Sequence, residues 1–404
     1  MDTNLLNASA RVALVALLHD LGKFAQRAKI EIPKDYLAAH FNFNKEGQYH
    51  SHQHAAYTGW AIDLLERRLP DLIQDDVFPF ANRSDKNNDI TDSMINAAAA
   101  HHKPDTFLQW VVATADRVAS GFERETFEQY NQAKENGESR REQKNHYQAR
   151  LFSLLEQISF TSEKKDKNDY CYPLKPLSAK TIFPVMRQGY EPSENSVAQK
   201  EYHALWNAFL QGLEQIPHSH RQSWSLWLDH FDSLWQSYTS AIPSATAFGV
   251  KPEVSLYDHS KTTAAMATAL WRWHHENGQI DGEAAKSLKN REISWGQDKF
   301  LLIQGDFFGI QDFIFASGSE TNKQAAKLLR GRSFQVSLFS ELAALKVLQA
   351  CELPSTSQIT NAAGKFLIVA PNTEKIRSAV KHQPQCEFNA TDIHYLRMNC
   401  ILNA

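Results

Sequence analysis

Apolar residues at helical spacing predict that the first third of the chain is all-helical. Between Arg11 and Arg27 the apolar positions recur every three or four residues, and His19 falls on the same face as Leu18. His19 is therefore expected to point inward, with Asp20 beside it. Three further helices are predicted on the same grounds, each ended near a proline or a glycine. They cover about His54–Leu69, Thr91–His101 and Phe107–Phe122.

The middle of the chain is predicted to be mostly helical, after a polar stretch. Residues 123–169 are dominated by charged and amide side chains, so they are expected to form exposed helix and loop. Aromatic residues at helical spacing from Glu201 to Tyr238 are expected to lie in a core rather than to form ligand platforms. A stretch punctuated by proline and glycine, from Ile242 to Asp258, then precedes a helix over about Thr262–His275.

After Trp295 the pattern changes to strand, helix and strand. Short apolar runs at Phe300–Gln304 and Lys365–Ala370 predict buried strands, residues 305–309 a turn, and Ala325–Leu348 a long helix. This order predicts an α+β domain that begins near residue 298. The expected fold class is therefore α+β, with an all-helical domain at 1–125, a mostly helical linker region at 126–297 and the α+β domain at 298–404.

Composition sets limits on function without naming one. With 404 residues and 42% hydrophobic residues the chain can bury several cores, which excludes disorder as a whole. The net charge of −3 gives no global attraction for nucleic acid, so any such binding has to be local or shared with partners. The cysteines form no Cys-x-x-Cys pair, which argues against a disulfide framework or a zinc finger and favours the cytoplasm. Neither a leader sequence nor a membrane span is expected.

Several places in the helical first third carry side chains that could converge on a metal ion. Neutral imidazoles combined with carboxylates suit divalent transition metals. Two such ions, about 3.5–4 Å apart, would clamp the attacking and leaving oxygens of a phosphodiester and lower the pKa of a bound water. Hydrolysis of a phosphate ester is the reaction that this set serves best. The candidates are His19 with Asp20, one or more of His50, His52 and His54, the pair His101 and His102, and Asp116.

Each candidate has an ordinary structural interpretation when it is taken alone. Because the chain has 17 histidines, roughly one His-Asp dipeptide is expected by chance. His101 and His102 could cap a helix before Pro104, and Asp116 could face solvent. The order of the motifs along the chain favours the metal-binding interpretation over these structural ones.

That order resembles a known family. The strings LLHDLGKFAQRA, HSHQHAAYTGW, AAAHHKP and TADRVASGFER are similar to the HD domain of the large subunit of type III-A CRISPR-Cas effector complexes (Cas ten, Csm type). The strings IPSATAFGVKPEVSLYDHSKTTAAMATALW and GDFFGIQDFIF, with AAKLLRGRSF, are similar to the linker and first palm domain of that family. The chain is thus expected to correspond to the N-terminal half of such a subunit.

The resemblance implies a metal-dependent HD-type nuclease that cleaves single-stranded DNA when the assembled complex pairs its guide RNA with a target transcript. The implied cofactor is a divalent transition metal (Mn, Ni, Co or Fe), as one or two ions. The implied partners are the other effector subunits, guide RNA, target RNA and the single-stranded DNA substrate, in the cytoplasm and without a membrane. The resemblance assigns the metal to His19, Asp20, His54, His102 and Asp116, with His52 and His101 as additional ligands.

Four basic residues carry weaker expectations. Lys23, counted with His19 and Asp20 as catalytic, could neutralise a substrate phosphate or could be a solvated lysine at a helix end. Lys327, Arg330 and Arg332 cluster around a helix and could contact a nucleotide or phosphate, or could form a solvated face.

The last domain resembles a ferredoxin-like palm that is expected to be incomplete. Cyclase palms of the family hold Mg with a Gly-Gly-Asp-Asp hairpin, whereas the corresponding stretch here, Ala363-Gly364-Lys365, has no acid. Synthesis of cyclic oligoadenylate is therefore not expected. The resemblance fades after about Lys381, and no amphipathic helix is expected after Thr373, so a truncated palm, arising for example from a frameshift, is the hypothesis.

Two other functions stay open. An HD-type nucleotide phosphohydrolase would explain the metal ligands but would leave the linker and palm motifs without a purpose. A truncated, non-catalytic remnant would keep the metal ligands but fail to assemble with partner subunits.

Overall fold

The computed structural model describes most of the chain as two compact units. The described residues are 3–34, 42–44, 49–51, 53–68, 78–80, 92–134, 147–158, 168–246, 251–290, 294–315, 324–381 and 396–399. One unit comprises residues 14–263, and the other comprises residues 1–13 with 264–404. The domain boundaries expected near residues 125 and 297 stay a prediction.

The unit at 14–263 is mainly helical. Two helices, α1 and α8, extend across its limits into the other unit. Two small antiparallel strand pairs, β1 with β2 and β3 with β4, lie between the helices. In chain order the elements are α1 (Thr3–Leu18), α2 (Leu21–Arg27), β1 (Asn42–Asn44), β2 (Tyr49–Ser51), α3 (Gln53–Arg68), α4 (Met94–Ala99), α5 (Phe107–Lys134), β3 (Tyr170–Cys171), β4 (Val185–Met186), α6 (Asn195–Glu214), α7 (Trp224–Thr239) and α8 (Leu256–Glu276).

The prediction of one continuous helix over Arg11–Arg27 is wrong, because the helix breaks at His19 and Asp20. The physical reason is the contact between α2 and α3. A Cβ atom on Gly22 would lie 1.8 Å from the backbone oxygen of His54, so only glycine permits this approach. The Thr58 hydroxyl donates to the carbonyl of His19 at 2.9 Å and accepts from the N–H of Gly22 at 3.0 Å, which satisfies the backbone of the break.

Aromatic side chains fill the core of this unit. The rings of Phe24 and Trp206 lie 5.0 Å apart edge to face, and Phe209 packs 5.7 Å from Trp235. The expectation that the aromatics of Glu201–Tyr238 are core residues is confirmed for the members that are fully buried. These are Tyr202, Trp206, Phe209, Trp227, Phe231 and Trp235.

Helix α8 begins six residues earlier than expected, since the proline- and glycine-rich stretch ends sooner. Ser255 and Asp258 form a reciprocal cap at its start. The Asp258 N–H donates to the Ser255 hydroxyl at 2.9 Å, and that hydroxyl donates to the Asp258 carboxylate at 2.6 Å. His259 is thereby placed in the first turn of a helix instead of in a loop.

The second unit contains a four-stranded antiparallel sheet in the order β6-β7-β5-β8. The chain order is that of a β-α-β-β-α-β ferredoxin-like motif. The described residues include every strand and helix of this motif, and the expectation of no helix after Thr373 is wrong. Whether the palm is truncated stays a prediction. The elements are α9 (Gly282–Lys289), β5 (Phe300–Phe307), α10 (Ile310–Ile314), α11 (Ala325–Cys351), β6 (Gln358–Ala362), β7 (Lys365–Pro371), α12 (Glu374–Lys381) and β8 (Leu396–Asn399).

One face of the sheet packs on α11 and α12. Side chains in β5 alternate strictly between buried and half-buried positions, as a strand with one covered face requires. Gly305 continues this strand, so the turn expected at residues 305–309 is confirmed at residues 308–309 and wrong at 305–307. A Cβ atom at Gly305 would lie 2.1 Å from the ring of Phe366, its partner on β7. The core contains Leu301, Ile303, Ala343, Ala344, Val347, Leu348, Cys351, Leu353, Phe366, Ile368, Ala370, Ile376 and Val380.

Residues 5–27 are long and apolar enough to cross a membrane by length and composition alone. However, 89% of the tested window is buried inside the protein, and the core helices of soluble proteins pass the same test. The stretch is also divided between α1 and α2. These observations favour a core role for it.

Candidate metal centre

The break between α1 and α2 brings His19 and Asp20 to the centre of a cluster of imidazoles and carboxylates. Both side chains are buried, and the His19 Nε2 lies 3.3 Å from the Asp20 Oδ2. The His19 Nδ1 contacts the carbonyl oxygen of Ala16 at 2.6 Å. A proton on Nδ1 donates to this carbonyl, so the lone pair of Nε2 faces the cluster, as in metal-binding histidines.

Two further histidines approach the other oxygen of Asp20, and a third contacts one of them. The Nε2 atoms of His54 and His101 lie 3.6 and 4.0 Å from the Asp20 Oδ1. The His54 Nε2 is also 2.7 Å from the Nε2 of His102. His101 repeats the arrangement of His19, because its Nδ1 contacts the carbonyl of Ala98 at 2.6 Å and its Nε2 points inward. Ligand atoms of His54, His101 and His102 lie close enough together to share one ion.

Asp116, on α5, completes the cluster on the side of His19. Its Oδ1 lies 3.7 Å from the His19 Nε2. The side chains of Asp116 and His54 are 17% and 16% exposed, whereas that of Asp20 is 2% exposed. The cluster is therefore closed at its centre and reaches solvent at its edge, where a substrate phosphate could approach.

His259, which sequence reasoning did not select, belongs to the same cluster. Its Nε2 lies 3.4 Å from the Asp20 Oδ2, 3.3 Å from the Asp116 Oδ1 and 3.2 Å from the His19 Nε2. His19, Asp20 and His259 form a second group whose ligand atoms could hold one ion. Asp20 thus directs one oxygen to each of two groups of histidines.

Two buried polar atoms indicate that the cluster fits a cation. The Asp20 Oδ1 and the His101 Nε2 have no hydrogen-bond partner among the described residues, although both are buried and face each other. Unsatisfied buried polar atoms are costly unless an ion or water completes them. The donor set of imidazole nitrogens with two carboxylates suits a divalent transition metal. The residues present therefore fit the metal that the sequence predicts.

The charges in the cluster favour metal-binding protonation states at most positions. Burial lowers the pKa of His101 to about 4, helped by the charge of His19, so its imidazole stays neutral. Burial alone would raise the pKa values of both aspartates, but Lys23 and His19 hold that of Asp20, and His19 and His259 hold that of Asp116, well below the usual range. For His19, burial lowers the pKa, yet the attraction of Asp20 and Asp116 outweighs it and raises the net value.

Lys23 is not simply a solvated lysine at a helix end. Its Nζ donates to the Asp20 Oδ2 at 2.5 Å, and its side chain is 22% exposed. The ammonium group therefore compensates the buried carboxylate while keeping contact with solvent. From this position it could also contact a phosphate.

The remaining predicted residues lie elsewhere or outside the described residues. His52 is outside them, and β2 is described without the side chain of His50. Lys327 is exposed, the Arg330 Nε donates to the carbonyl of Ala326 at 3.1 Å, and Arg332 donates to the carbonyl of Ile314 at 3.1 Å. These contacts leave their role toward a phosphate a prediction.

Comparison with known proteins finds relatives among the large subunits of type III-A CRISPR systems. The Csm1 subunit domain B model matches residues 299–395. Over 382 residues the chain is 28% identical to the "CRISPR system single-strand-specific deoxyribonuclease Cas10/Csm1 (subtype III-A)" of Methanocaldococcus jannaschii, covering 90% of this chain and 41% of that protein. This chain is a homologue of the type III-A large subunit. The likeness to its domain B continues past Lys381, so the expectation that it fades there is wrong.

Other relatives agree, and each is matched over part of its length. The Cas10/Csm1 protein of Enterococcus italicus is 29% identical over 279 residues, which are 68% of this chain and 34% of that protein. The chain thus spans 41% or less of these large subunits. The crystal structure of Csm1 from T. onnurineus shares the fold, with a TM-score of 0.55 at 22% identity over 99% of this chain and 45% of that one. A solved Csm1–Csm4 subcomplex gives a TM-score of 0.53 at 22% identity over 93% of this chain and 41% of that one.

Proposed function

We propose that this chain cleaves single-stranded DNA with a divalent metal held by the cluster around Asp20. The observation that carries the proposal is the position of Asp20, whose two oxygens face two separate groups of histidines. The curated relatives are named single-strand-specific deoxyribonucleases, which supports the same reaction class. Residues 1–125 would supply most of the HD-type site, and residues 298–404 the first palm.

Two ions would be held by two overlapping sets of ligands. His54, His101, His102 and one oxygen of Asp20 would form one set. His19, His259, Asp116 and the other oxygen of Asp20 would form the second. Mn, Ni, Co or Fe fits these donors. When bound, such ions supply Lewis acidity toward a phosphodiester and make a coordinated water acidic enough to attack near neutral pH.

The chain's own residues would position the substrate and the ligands. The backbone carbonyls of Ala16 and Ala98 fix the tautomers of His19 and His101, so that both present a lone pair inward. Lys23, beside the open edge, would attract a phosphate of the DNA while it compensates Asp20. The half-buried His54 and Asp116 line the side from which a strand would enter.

The setting of the reaction follows from the relatives. Solved relatives show Csm1 together with Csm4 in the type III-A interference complex. We therefore expect this chain to act in the cell interior, together with other effector subunits, guide RNA and target RNA. Synthesis of cyclic oligoadenylate is not expected from residues 298–404, because the turn between β6 and β7 carries Ala363 and Gly364 in place of acids.

Cleavage of labelled single-stranded DNA after chelation and re-addition of Mn tests the proposal. Wild-type chain should cleave only with the metal, and the double variant His19→Ala with Asp20→Ala should lose cleavage while keeping its helical circular dichroism. Asp306→Ala, in the other unit, is the matched control and should cleave like wild type. Cleavage that survives the double change, or that continues in excess chelator, would show that the site is wrong.

The same samples separate the two alternatives. A nucleotide phosphohydrolase would release phosphate from mononucleotides faster than it cuts the DNA strand. A non-catalytic remnant would bind Mn, leave DNA intact and fail to copurify with the small subunit and the subunit that binds the guide RNA end. The relatives named as deoxyribonucleases favour the nuclease over both.

A further inference from the structure

Asp20 lies at a position where an aspartate usually caps its own helix. It is the N-cap residue of α2, and a carboxylate there normally accepts the N–H of the second or third helical residue. Helix α2 is described along its whole length, and the Asp20 side chain caps none of its N–H groups. The two carboxylate oxygens face the histidines of the proposed metal centre instead, and Lys23 lies beside one of them.

Thr58, on α3, provides this cap from outside the helix. Its hydroxyl oxygen accepts the N–H of Gly22, the second residue of α2, at 3.0 Å. The same hydroxyl donates to the carbonyl of His19, the residue before Asp20, at 2.9 Å. Thr58 is fully buried, and so are both hydrogen bonds. One hydroxyl group therefore satisfies the backbone on both sides of Asp20.

The N–H of the third residue of α2 also has an acceptor. The Lys23 N–H donates to the backbone carbonyl of Asp20 at 2.9 Å. The N–H groups of the second and third helical residues are the ones that an N-cap carboxylate can reach. Since both already have acceptors, neither draws the Asp20 carboxylate away from the histidines.

The cap depends on a close approach between α2 and α3. A Cβ atom on Gly22 would lie 1.8 Å from the backbone oxygen of His54 and 2.6 Å from the Thr58 hydroxyl oxygen. Thr58 follows His54 by four residues, so both side chains lie on one face of α3. That face thus presents a proposed metal ligand on one turn and the cap of α2 on the next. The same helix contact places His54 near Asp20 and the hydroxyl near Gly22.

We propose that Thr58 is a positioning residue of the metal centre, which caps α2 in place of Asp20 and so leaves both carboxylate oxygens free to bind cations. This inference rests on the proposed function, because it assumes that Asp20 holds metal. Without the hydroxyl, the N–H of Gly22 would be a buried donor without an acceptor, which is costly. Rotation of the Asp20 side chain would satisfy that N–H and place a negative charge at the start of α2, where it is favourable. The rotation would take at least one oxygen away from the histidines.

Thr58→Val tests the proposal, because valine has nearly the shape of threonine and lacks the hydroxyl. Mn affinity in equilibrium dialysis should fall about 10–100-fold, the loss that follows removal of a group that orients a metal ligand. Thr58→Ser keeps the hydroxyl and should bind Mn like the wild-type chain.

Thr239→Val is the matched control. Thr239 is also fully buried in the unit at 14–263, and its hydroxyl donates to the carbonyl of Trp235 at 2.6 Å. It therefore loses the same kind of buried bond, but at a carbonyl outside the metal centre. Its Mn affinity should equal that of the wild-type chain, with the folding of every variant checked by circular dichroism and urea unfolding.

Crystals of the metal-free Thr58→Val chain should show the Asp20 carboxylate accepting the N–H of Gly22. The proposal is overturned if this variant binds Mn as tightly as the wild-type chain, if Thr58→Ser binds it as weakly as Thr58→Val, or if Mn affinity falls while Asp20 keeps its position in the crystals. If Thr58→Val does not fold, a crystal structure of the wild-type chain decides, because an Asp20 carboxylate that caps α2 there would overturn the proposal.

The failure of this proposal can be distinguished from failure of the proposed function. Dialysis measures metal binding alone, whereas the DNA assay measures cleavage. A chain whose Mn binding depends on the Thr58 hydroxyl, yet which leaves single-stranded DNA intact with Mn, would contradict the nuclease and support the role of Thr58. A chain that cleaves DNA with Mn, and binds the metal equally well with valine at position 58, would do the reverse.

Discussion

Two aspartates, one in each unit, show how surroundings decide what a carboxylate can do. Asp20 is 2% exposed and faces four imidazoles and a lysine. Asp306, near the end of β5, is 33% exposed, and its carboxylate lies 3.2 Å from the Nζ of Lys365. Each carboxylate has a lysine beside it, but Asp20 is also surrounded by imidazoles that could share a cation with it.

The difference follows from which elements converge. Around Asp20, the break between α1 and α2 meets α3, α5 and α8, and each adds a ligand. Around Asp306, the neighbouring β7 adds a lysine, and the turn before it is Ala363-Gly364, with both residues in the left-handed region. A pair of carboxylates is what a Mg site in a palm requires.

The largest expected effect comes from exchanging each aspartate for asparagine. Asp20→Asn removes a carboxylate whose two oxygens face the two groups of histidines, so Mn-dependent DNA cleavage should fall by about 10³-fold or more. Asp306→Asn should leave the rate unchanged. If the initial cleavage rates of the two variants fell equally, the proposed difference between Asp20 and Asp306 would be wrong.

His259→Ala tests whether the two groups of ligands around Asp20 hold separate ions. The variant should lower Mn affinity and the cleavage rate by about 10–100-fold, because one group of ligands loses a member while the other stays intact. Bound metal should fall from two ions per chain to one in equilibrium dialysis. His203→Ala changes an exposed histidine near Asn207 and is the matched control. An unaltered metal count would remove His259 from the site.

In the other unit, the buried guanidinium of Arg272 is expected to stabilise the fold and to have no part in cleavage. The Arg272 guanidinium is fully buried, binds the Glu276 carboxylate at 2.6 Å and donates to the carbonyl of Glu352 at 2.7 Å. Arg272→Ala should lower the free energy of unfolding by about 3–5 kcal/mol, since Glu276 and the end of α11 lose the guanidinium that pairs with them. Lys286→Ala, in an exposed ion pair with Glu283, should cause no measurable change. Urea unfolding of both variants checks this.

The smallest effect is a pH dependence of stability in the same unit. Burial, with the charge of Lys299 at 3.2 Å, lowers the pKa of His274 to about 4. The unfolded chain takes up this proton near pH 6.5, so the unfolded state binds more protons between those values and stability falls as the pH falls. His274→Asn should remove up to roughly 3 kcal/mol of this loss.

Urea unfolding at several pH values measures that slope. The variant His218→Asn changes an exposed histidine and should keep the wild-type slope. A His274→Asn chain whose stability still falls as steeply below pH 6.5 would show that another group is responsible.

The sequence predicts much of the candidate site because helical periodicity is local. It placed His19 on an apolar face, and the structure brings His19, Asp20, His54, His101, His102 and Asp116 together. Their role as ligands stays a prediction. His259 was missed because α8 was expected to start later, and because packing across more than two hundred residues leaves no local signal. The capping pair Ser255 and Asp258 was the signal that could have extended the helix.

The fold was predicted less completely in the second unit. Strand β6 was missed, since most of its side chains are exposed and show no alternation. Gly305 was assigned to a turn by a local rule, whereas its real role is to leave room for the ring of Phe366 on the neighbouring strand. Contacts between residues distant in sequence decided both positions.

Anomalous diffraction from crystals of this chain grown with Mn would locate the ions bound at Asp20. We expect two peaks beside Asp20, about 3.5–4 Å apart, one near His54 and His101 and the other near His19 and His259. Crystals of a chain that cleaves single-stranded DNA with Mn, yet show no peak within bonding distance of Asp20, would contradict it.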